Sequence, residues 1–244
     1  MTLPPIRLMM TVSNSIFPAN IIAFTSDRTV DFTLRQEQTG LNDEEEDFLS
    51  RRLNIDLPDL VLIRQTHGFR VVVADESFLR DKSVLPEADG AMTRLPNVAL
   101  TIRTADCLPV FMYDPEQKGI GLVHVGRRGA EKNILREAIT QMKAQWQTEP
   151  KAIMVFLGPA IRSCCYEVDK EFQESFPEDL VVKDGRHYLD LVQVCRKQLI
   201  GLGLEGQNIH DSGICTCCDE QYFSYRRQGE SAGRMLSLMM LREG

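Results

Sequence analysis

The chain has 244 residues, 43% of them hydrophobic and 26% charged, with 16 Gly and 11 Pro. That excludes collagen, coiled coil and a disordered chain, and it allows one domain with a sizeable core, expected over residues 1–244. Asp and Glu outnumber Lys and Arg by 35 to 28, a net charge of −7, so neither nucleic acid nor an anionic membrane is an expected partner.

No stretch approaches the roughly 18 apolar residues of a membrane span. The opening MTLPPIRLMMTVSNSIFPAN, broken by prolines and polar residues, lacks the basic start and unbroken apolar core of an export signal. A cytoplasmic protein is therefore expected, with its seven cysteines as reduced thiols.

Asn42 and Glu45 stand at capping-box spacing ahead of Phe48, Leu49, Leu53 and Ile55. The acidic run 43–47 suits the positive end of a helix, predicted over about 43–54. Short β-branched runs bounded by turn residues predict strands at 60–65, 70–74, 98–103, 108–113 and 120–125. From Asn133 onward Ile134, Leu135, Ala138, Ile139, Met142 and Trp146 recur at helical spacing, with charged and polar residues opposite. A strand at 152–157, helices near 168–175 and 189–201, and strands at 208–211, 222–225 and 235–241 complete the order. The mixture predicts an α+β fold of mixed β-sheets flanked by helices, without regular βαβ alternation.

Three tight turns at predicted strand ends carry reactive side chains: Gln65-Thr66-His67-Gly68, Ala105-Asp106-Cys107-Leu108-Pro109 and His124-Val125-Gly126-Arg127-Arg128-Gly129. If the strand ends share one rim of a sheet, His67, Cys107 and His124 supply three zinc ligands and leave a fourth position open, as catalytic zinc requires. The metal would acidify a bound water or polarise a substrate oxygen. The same three residues also suit a Cys107 nucleophile activated by a histidine, or an inert buried thiol beside ordinary histidines.

Arg127 and Arg128, between Gly126 and Gly129 and just before the helix predicted from Asn133, are candidate phosphate contacts. Arg226 and Arg227 are a second such pair, with Tyr225 or Phe223 available to stack on a base. Asp106 and Asp190 are the carboxylates expected to serve as general base or to orient a zinc histidine. Cys164, Cys165, Cys215, Cys217 and Cys218 lack a twice-repeated C-x₂-C spacing and read as buried or turn cysteines, and Cys195 as a core residue. No role is assigned to His187 or His210.

Several stretches together resemble the laccase-domain (YfiH-type) family, whose members are described as polyphenol oxidases, purine nucleoside phosphorylases with adenosine deaminase activity, and a peptidoglycan-editing factor. They are QTHG at 65–68, Asp89-Gly90 with Ala88 before it, TADCLPV at 104–110, GLVHVGRRG at 121–129, LGPAIRSCCYEV at 157–168, YLDL at 188–191 and YFSYRRQGESAGRM at 222–235. The resemblance implies a single zinc site at His67, Cys107 and His124, with copper only as an adventitious occupant. It implies a fold shared with certain Cys/His toxin deamidases. The implied activity is phosphorolysis of adenosine, inosine or methylthioadenosine, with adenosine deamination beside it; the implied alternatives are a Cys-nucleophile hydrolase of cell-wall precursors and a non-catalytic metal- or nucleotide-binding protein. The chain departs from the family pattern HAGWRG in carrying Val125 and Arg127.

A multicopper mechanism needs a histidine-rich cluster for oxygen reduction beside an electron-transfer copper. Four histidines in the whole chain are too few for it.

Overall fold

Apolar residues run along the longest strands with few breaks, and successive side chains point to opposite faces. Both faces must therefore be covered. This sets the layering of the computed structural model, which describes residues 16–34, 38–53, 59–80 and 84–243. Ile55, expected to pack under the first helix, lies outside them.

In chain order the strands are β1 (Ile21–Thr25), β2 (Asp59–Val61), β3 (Val71–Val73), β4 (Gly90–Thr93), β5 (Val98–Thr104), β6 (Leu108–Asp114) and β7 (Gly119–Val125). They continue with β8 (Met154–Leu157), β9 (Glu167–Val168), β10 (Leu180–Lys183), β11 (Arg186–Leu189), β12 (Ile209–Asp211) and β13 (Met235–Leu241). The helices are α1 (Asp43–Leu53), α2 (Glu76–Arg80), α3 (Arg127–Glu131), α4 (Ile134–Trp146), α5 (Leu191–Gly201) and α6 (Tyr225–Gln228). None of the described helices is long and apolar enough to cross a membrane.

A six-stranded sheet has the order β12-β8-β6-β7-β4-β3, and a four-stranded sheet the order β1-β13-β5-β2. Both are mixed, with β2·β5, β3·β4 and β8·β12 parallel and the other pairs antiparallel. Phe111, Ile120 and Leu122 of the larger sheet meet Leu100, Ile102 and Met239 of the smaller one in the inter-sheet core. The opposite face of the larger sheet, with Val110, Met112, Val123 and Val125, packs against α4 and α5. Leu236, Leu238 and Met240 on the outer face of β13 pack with Leu49 of α1. The result is helix, sheet, sheet, helix, in agreement with the expected mixed sheets and flanking helices.

Local chemistry fixes the helix ends. Asn42 Oδ1 accepts the N–H groups of Glu44 and Glu45, both at 3.0 Å, while Glu45 Oε2 accepts Asn42 N at 2.8 Å, the capping box that the spacing predicts. The side chain of Asn133 accepts Arg136 N at 3.1 Å and opens α4, and that of Asp190 accepts Gln193 N at 3.0 Å and opens α5. Trp146 closes α4 over Gly119, where a Cβ would lie 2.5 Å from the indole ring.

Several regions differ from the sequence reading, β1, β4 and α2 among them, for which no element was expected. The strand expected at 60–65 stops at Val61, with a lone bridge from Arg64 to Glu87 beyond it. The helix expected near 168–175 is β9 followed by a 3₁₀ turn at Lys170–Gln173. The hairpin β10–β11 was not expected; it turns on Asp184 and Gly185, at φ 49° and 76°, the conformation that Asp-Gly favours. Residues 222–225 do not form a strand. Ser224 Oγ accepts Arg227 N at 3.2 Å and the Asp106 carboxylate accepts Arg226 N at 2.7 Å, and these two caps start α6 instead.

Candidate metal centre

The β6–β7 pairing sets Pro109 opposite His124 and Leu108 opposite Val125, so Cys107 and Gly126 flank the open end of the ladder. Next to β7, β4 begins at Gly90, and Asp89 O accepts His124 N at 2.7 Å. The turn before β3 carries His67 to the same rim, in the left-handed region at φ 56°. That unusual backbone is held by Asp89, whose carboxylate accepts the N–H groups of Thr66, His67 and Gly68 at 3.2, 2.9 and 2.7 Å. The candidate ligand atoms of His67, Cys107 and His124 all lie within 4.8 Å of one another.

Asp89 also bonds His124 Nδ1 at 2.9 Å, both side chains being buried. This leaves Nε2 as the ring nitrogen available as a ligand. Burial would raise the Asp89 carboxyl, but the His124 ring and the Gly68 and Thr66 N–H groups outweigh it and hold it down to about 2. Burial likewise opposes ionisation of Cys107, yet the charge of His124 and hydrogen bonds from His124 and His67 bring the thiol down to about 6. His124 rises to about 9 against its own burial, through Cys107 and Asp89. In the absence of a metal, both shifts favour the thiolate and imidazolium forms of the pair near neutral pH.

Two imidazoles and a thiolate are a donor set of the kind zinc takes, with one carboxylate behind a ligand as such sites have. Gly126 is part of the fit: a Cβ there would stand 3.1 Å from Cys107 Sγ and 3.2 Å from His67 Cδ2. His187 and His210 sit on β11 and β12, away from these ligands.

The ligands open on a cavity of about 530 Å³ that is also lined by Arg64, Gln65, Arg103, Asp106, Arg127, Tyr166, Tyr225, Arg226 and Arg234. Arg103 is 7% exposed; its Nε donates to Phe32 O at 2.7 Å, and its Nη1 and Nη2 are buried without a hydrogen-bond partner among the described residues. Other cavity arginines are engaged. Arg127 pairs with Glu131 at 2.9 Å and lies over the Phe172 ring at 4.2 Å. Arg226 donates to the carbonyls of Cys165 and Glu167, and Arg234 to those of Ala232 and Gly233.

The predicted site residues thus divide by position. His67, Cys107, His124, Asp106, Arg127, Tyr225 and Arg226 line the cavity; Arg128 and Arg227 do not. Arg127 and Arg128 lie inside the five-residue α3, a separate element from the helix that starts after Asn133. Arg227 spends its guanidinium on the carbonyls of Thr216, Cys217 and Tyr222. Both oxygens of Asp106 are taken, by Thr216 Oγ1 and Arg226 N at 2.7 Å each. Asp190 caps α5. The carboxylate that orients a ligand histidine is Asp89, which the sequence reading passed over although its Asp-Gly step belongs to the recognised stretches. Arg103 was missed as well, since it occupies one alternating position of a strand.

Residues 36–242 match the family described as "Multi-copper polyphenol oxidoreductase laccase". A purine nucleoside phosphorylase of Clostridium acetobutylicum is 33% identical over 213 residues, covering 82% of this chain and 86% of that protein. An adenosine deaminase, RL5, of an unknown prokaryotic organism is 33% identical over 201 residues, 76% of either chain. The crystal structure of YlmD from Geobacillus stearothermophilus superposes with a TM-score of 0.81 at 27% identity, covering 92% of this chain and 93% of that one.

Proposed function

This chain belongs to the multi-copper polyphenol oxidoreductase laccase family, and on that premise we propose that it is a cytoplasmic, zinc-dependent purine nucleoside phosphorylase cleaving adenosine or inosine with inorganic phosphate. The carrying observation is that one cavity holds both a three-ligand metal centre and a buried guanidinium with two unspent nitrogens. A nucleoside and a phosphate need those two kinds of end. The names of the relatives, one a purine nucleoside phosphorylase and one an adenosine deaminase, support the same substrate class.

In phosphorolysis a phosphate oxygen bonds to the anomeric carbon of ribose as the carbon–nitrogen bond breaks and its electron pair leaves with the purine. His67, Cys107 and His124 would hold the metal, which when bound supplies positive charge and Lewis acidity. Arg103, whose charge is partly offset by Glu45, would offer the phosphate its two buried nitrogens. Such pre-positioned charge does not have to reorganise as the reaction proceeds. Tyr225, 52% exposed at the cavity wall, presents a ring on which a purine stacks. Asp89 keeps the proton on His124 Nδ1. Asp106, with both oxygens engaged, holds the Arg226 backbone and takes no proton.

Adenosine deamination in the same cavity is a second activity, supported by the adenosine deaminase relative. A different reading rests on the Cys107–His124–Asp89 series, in which a thiolate, an imidazole and a carboxylate stand in the order of a nucleophile triad. It would make the protein a hydrolase of amide bonds, cell-wall precursors included, with no need of metal.

The deciding assay incubates purified protein with adenosine and with inosine, each with and without phosphate, beside Cys107→Ala and a stringently chelated sample. Phosphate-dependent release of free base that is lost in both controls supports the phosphorylase. Activity that survives chelation and is lost only in Cys107→Ala supports the nucleophile.

A further inference from the structure

We propose that Cys164, Cys165, Cys215 and Cys218 form a second, structural metal site, binding one zinc-class divalent cation through four thiolates and clipping together two turns beside the cavity. Their sulfurs all lie within 4.8 Å of one another. Cys218 Sγ is 3.3 Å from Cys165 Sγ and 3.6 Å from Cys164 Sγ. A tetrahedral zinc with sulfurs at about 2.3 Å places them about 3.8 Å apart, so these separations are those of a cage.

These cysteines sit in turns, as expected, and the turns bring their sulfurs together. Cys164 and Cys218 are exposed, and the four converge. The convergence comes from the strand ladder: β12 runs parallel to β8, and the pairing resumes at the Ala160–Cys215 bridge, with Thr216 N donating to Ala160 O at 3.1 Å. The turns that follow, 162–165 and 215–218, then lie against each other. Cys215 and Cys218 have the C-x₂-C spacing of a zinc turn. The backbone N–H groups of Cys218, Arg162 and Cys217 are directed at the Cys215 sulfur. The Arg162 side chain, paired with Asp211, stands beside Cys215 and offsets part of the charge of four thiolates.

Sulfur occupies all four positions, so the site is closed and its task is mechanical. Its two turns support the cavity directly. Thr216 Oγ1 donates to Asp106, the neighbour of Cys107, and the carbonyls of Cys165 and Glu167 receive Arg226.

The test is cobalt and zinc binding to protein purified with reductant under argon. Wild type and Cys217→Ser should each bind one equivalent more than Cys164→Ser/Cys218→Ser. Cys107→Ser should keep one cobalt with the intense near-ultraviolet thiolate-to-metal band and visible bands of tetrahedral four-sulfur coordination. That spectrum reports the site even if the double variant fails to fold, and it supports the proposal whether or not the His67–Cys107–His124 centre binds metal. Loss of all metal in Cys107→Ser, or a Cys165–Cys218 disulfide in the reduced preparation, would overturn it.

Discussion

Gln65 and Arg103 exchange two hydrogen bonds, Gln65 Nε2 donating to Arg103 O at 2.8 Å and Arg103 N donating to Gln65 Oε1 at 2.7 Å. The turn that carries His67 is thereby stitched to the strand that carries the buried guanidinium, and the two ends of the cavity share one brace.

Arg103→Met leaves this backbone stitch in place and removes the guanidinium together with its hydrogen bond to Phe32 O. A charged hydrogen-bonding group contributes about 1.5–3 kcal/mol, roughly a ten- to hundredfold effect. We expect kcat/KM for phosphate to fall by that factor while metal content is unchanged. Steady-state kinetics at varied phosphate, with metal analysis of the same sample, checks both halves.

Asp89→Asn keeps the size of the side chain and loses the charge that holds His124. Support of this kind is worth about 10–100-fold in metal affinity, and we expect zinc binding to weaken by that amount with the circular dichroism unchanged. Competition with a chromophoric chelator measures it. Unchanged affinity would remove Asp89 from the metal centre.

Gly126→Ala tests the space between the ligands. The backbone there has φ −88°, which alanine adopts freely, so strain in the turn is not at issue. The added Cβ instead crowds Cys107 Sγ and His67 Cδ2. Folded protein with metal affinity at least tenfold weaker is the expected result; full affinity would show that the ligands have room to spare.

Metal-free protein offers a pH test. The Cys107 thiol is lowered to about 6, so its thiolate fraction rises as pH climbs through 6 and is nearly complete by about pH 7.5. Cys164 is raised to about 11, burial leading, and remains a thiol there. Iodoacetamide should therefore label Cys107 ahead of Cys164 at pH 7, with a rate that levels off above neutrality, and bound zinc should protect it. Peptide mass mapping over pH 5–9 gives the profile.

What was legible in the sequence was local or strongly periodic. The Asn42–Glu45 capping box, the apolar stripe of α4 and the buried strands β5, β6, β7 and β13 follow from spacing and composition alone. His67, Cys107 and His124 were legible as candidates because they stand in tight turns at predicted strand ends and inside the recognised family stretches, while their approach depended on a sheet order that no local pattern encodes. Asp89 was hidden for that reason: its partner is 35 residues away and meets it only through the β4–β7 register. Residues 222–225 resemble a strand by alternation, and only the distant Asp106 and the Ser224 cap turn them into the start of a helix. The cysteine cluster joins turns more than 50 residues apart.

The chain leaves the four-stranded sheet at Thr104 and enters the six-stranded one at Leu108, so Ala105–Cys107 is a step between two slabs. Arg103 belongs to one slab and His124 to the other, and Cys107 stands at the end of the step between them. The span from guanidinium to metal ligands is therefore a gauge of how the slabs are offset, and its keeper is the contact of Leu100 and Ile102 with Phe111, Ile120 and Leu122. Close-packed interiors yield little to sliding. Trimming Phe111 or Ile120 would loosen that gauge from a distance, shifting which lengths of substrate bridge the cavity without altering any group that touches them.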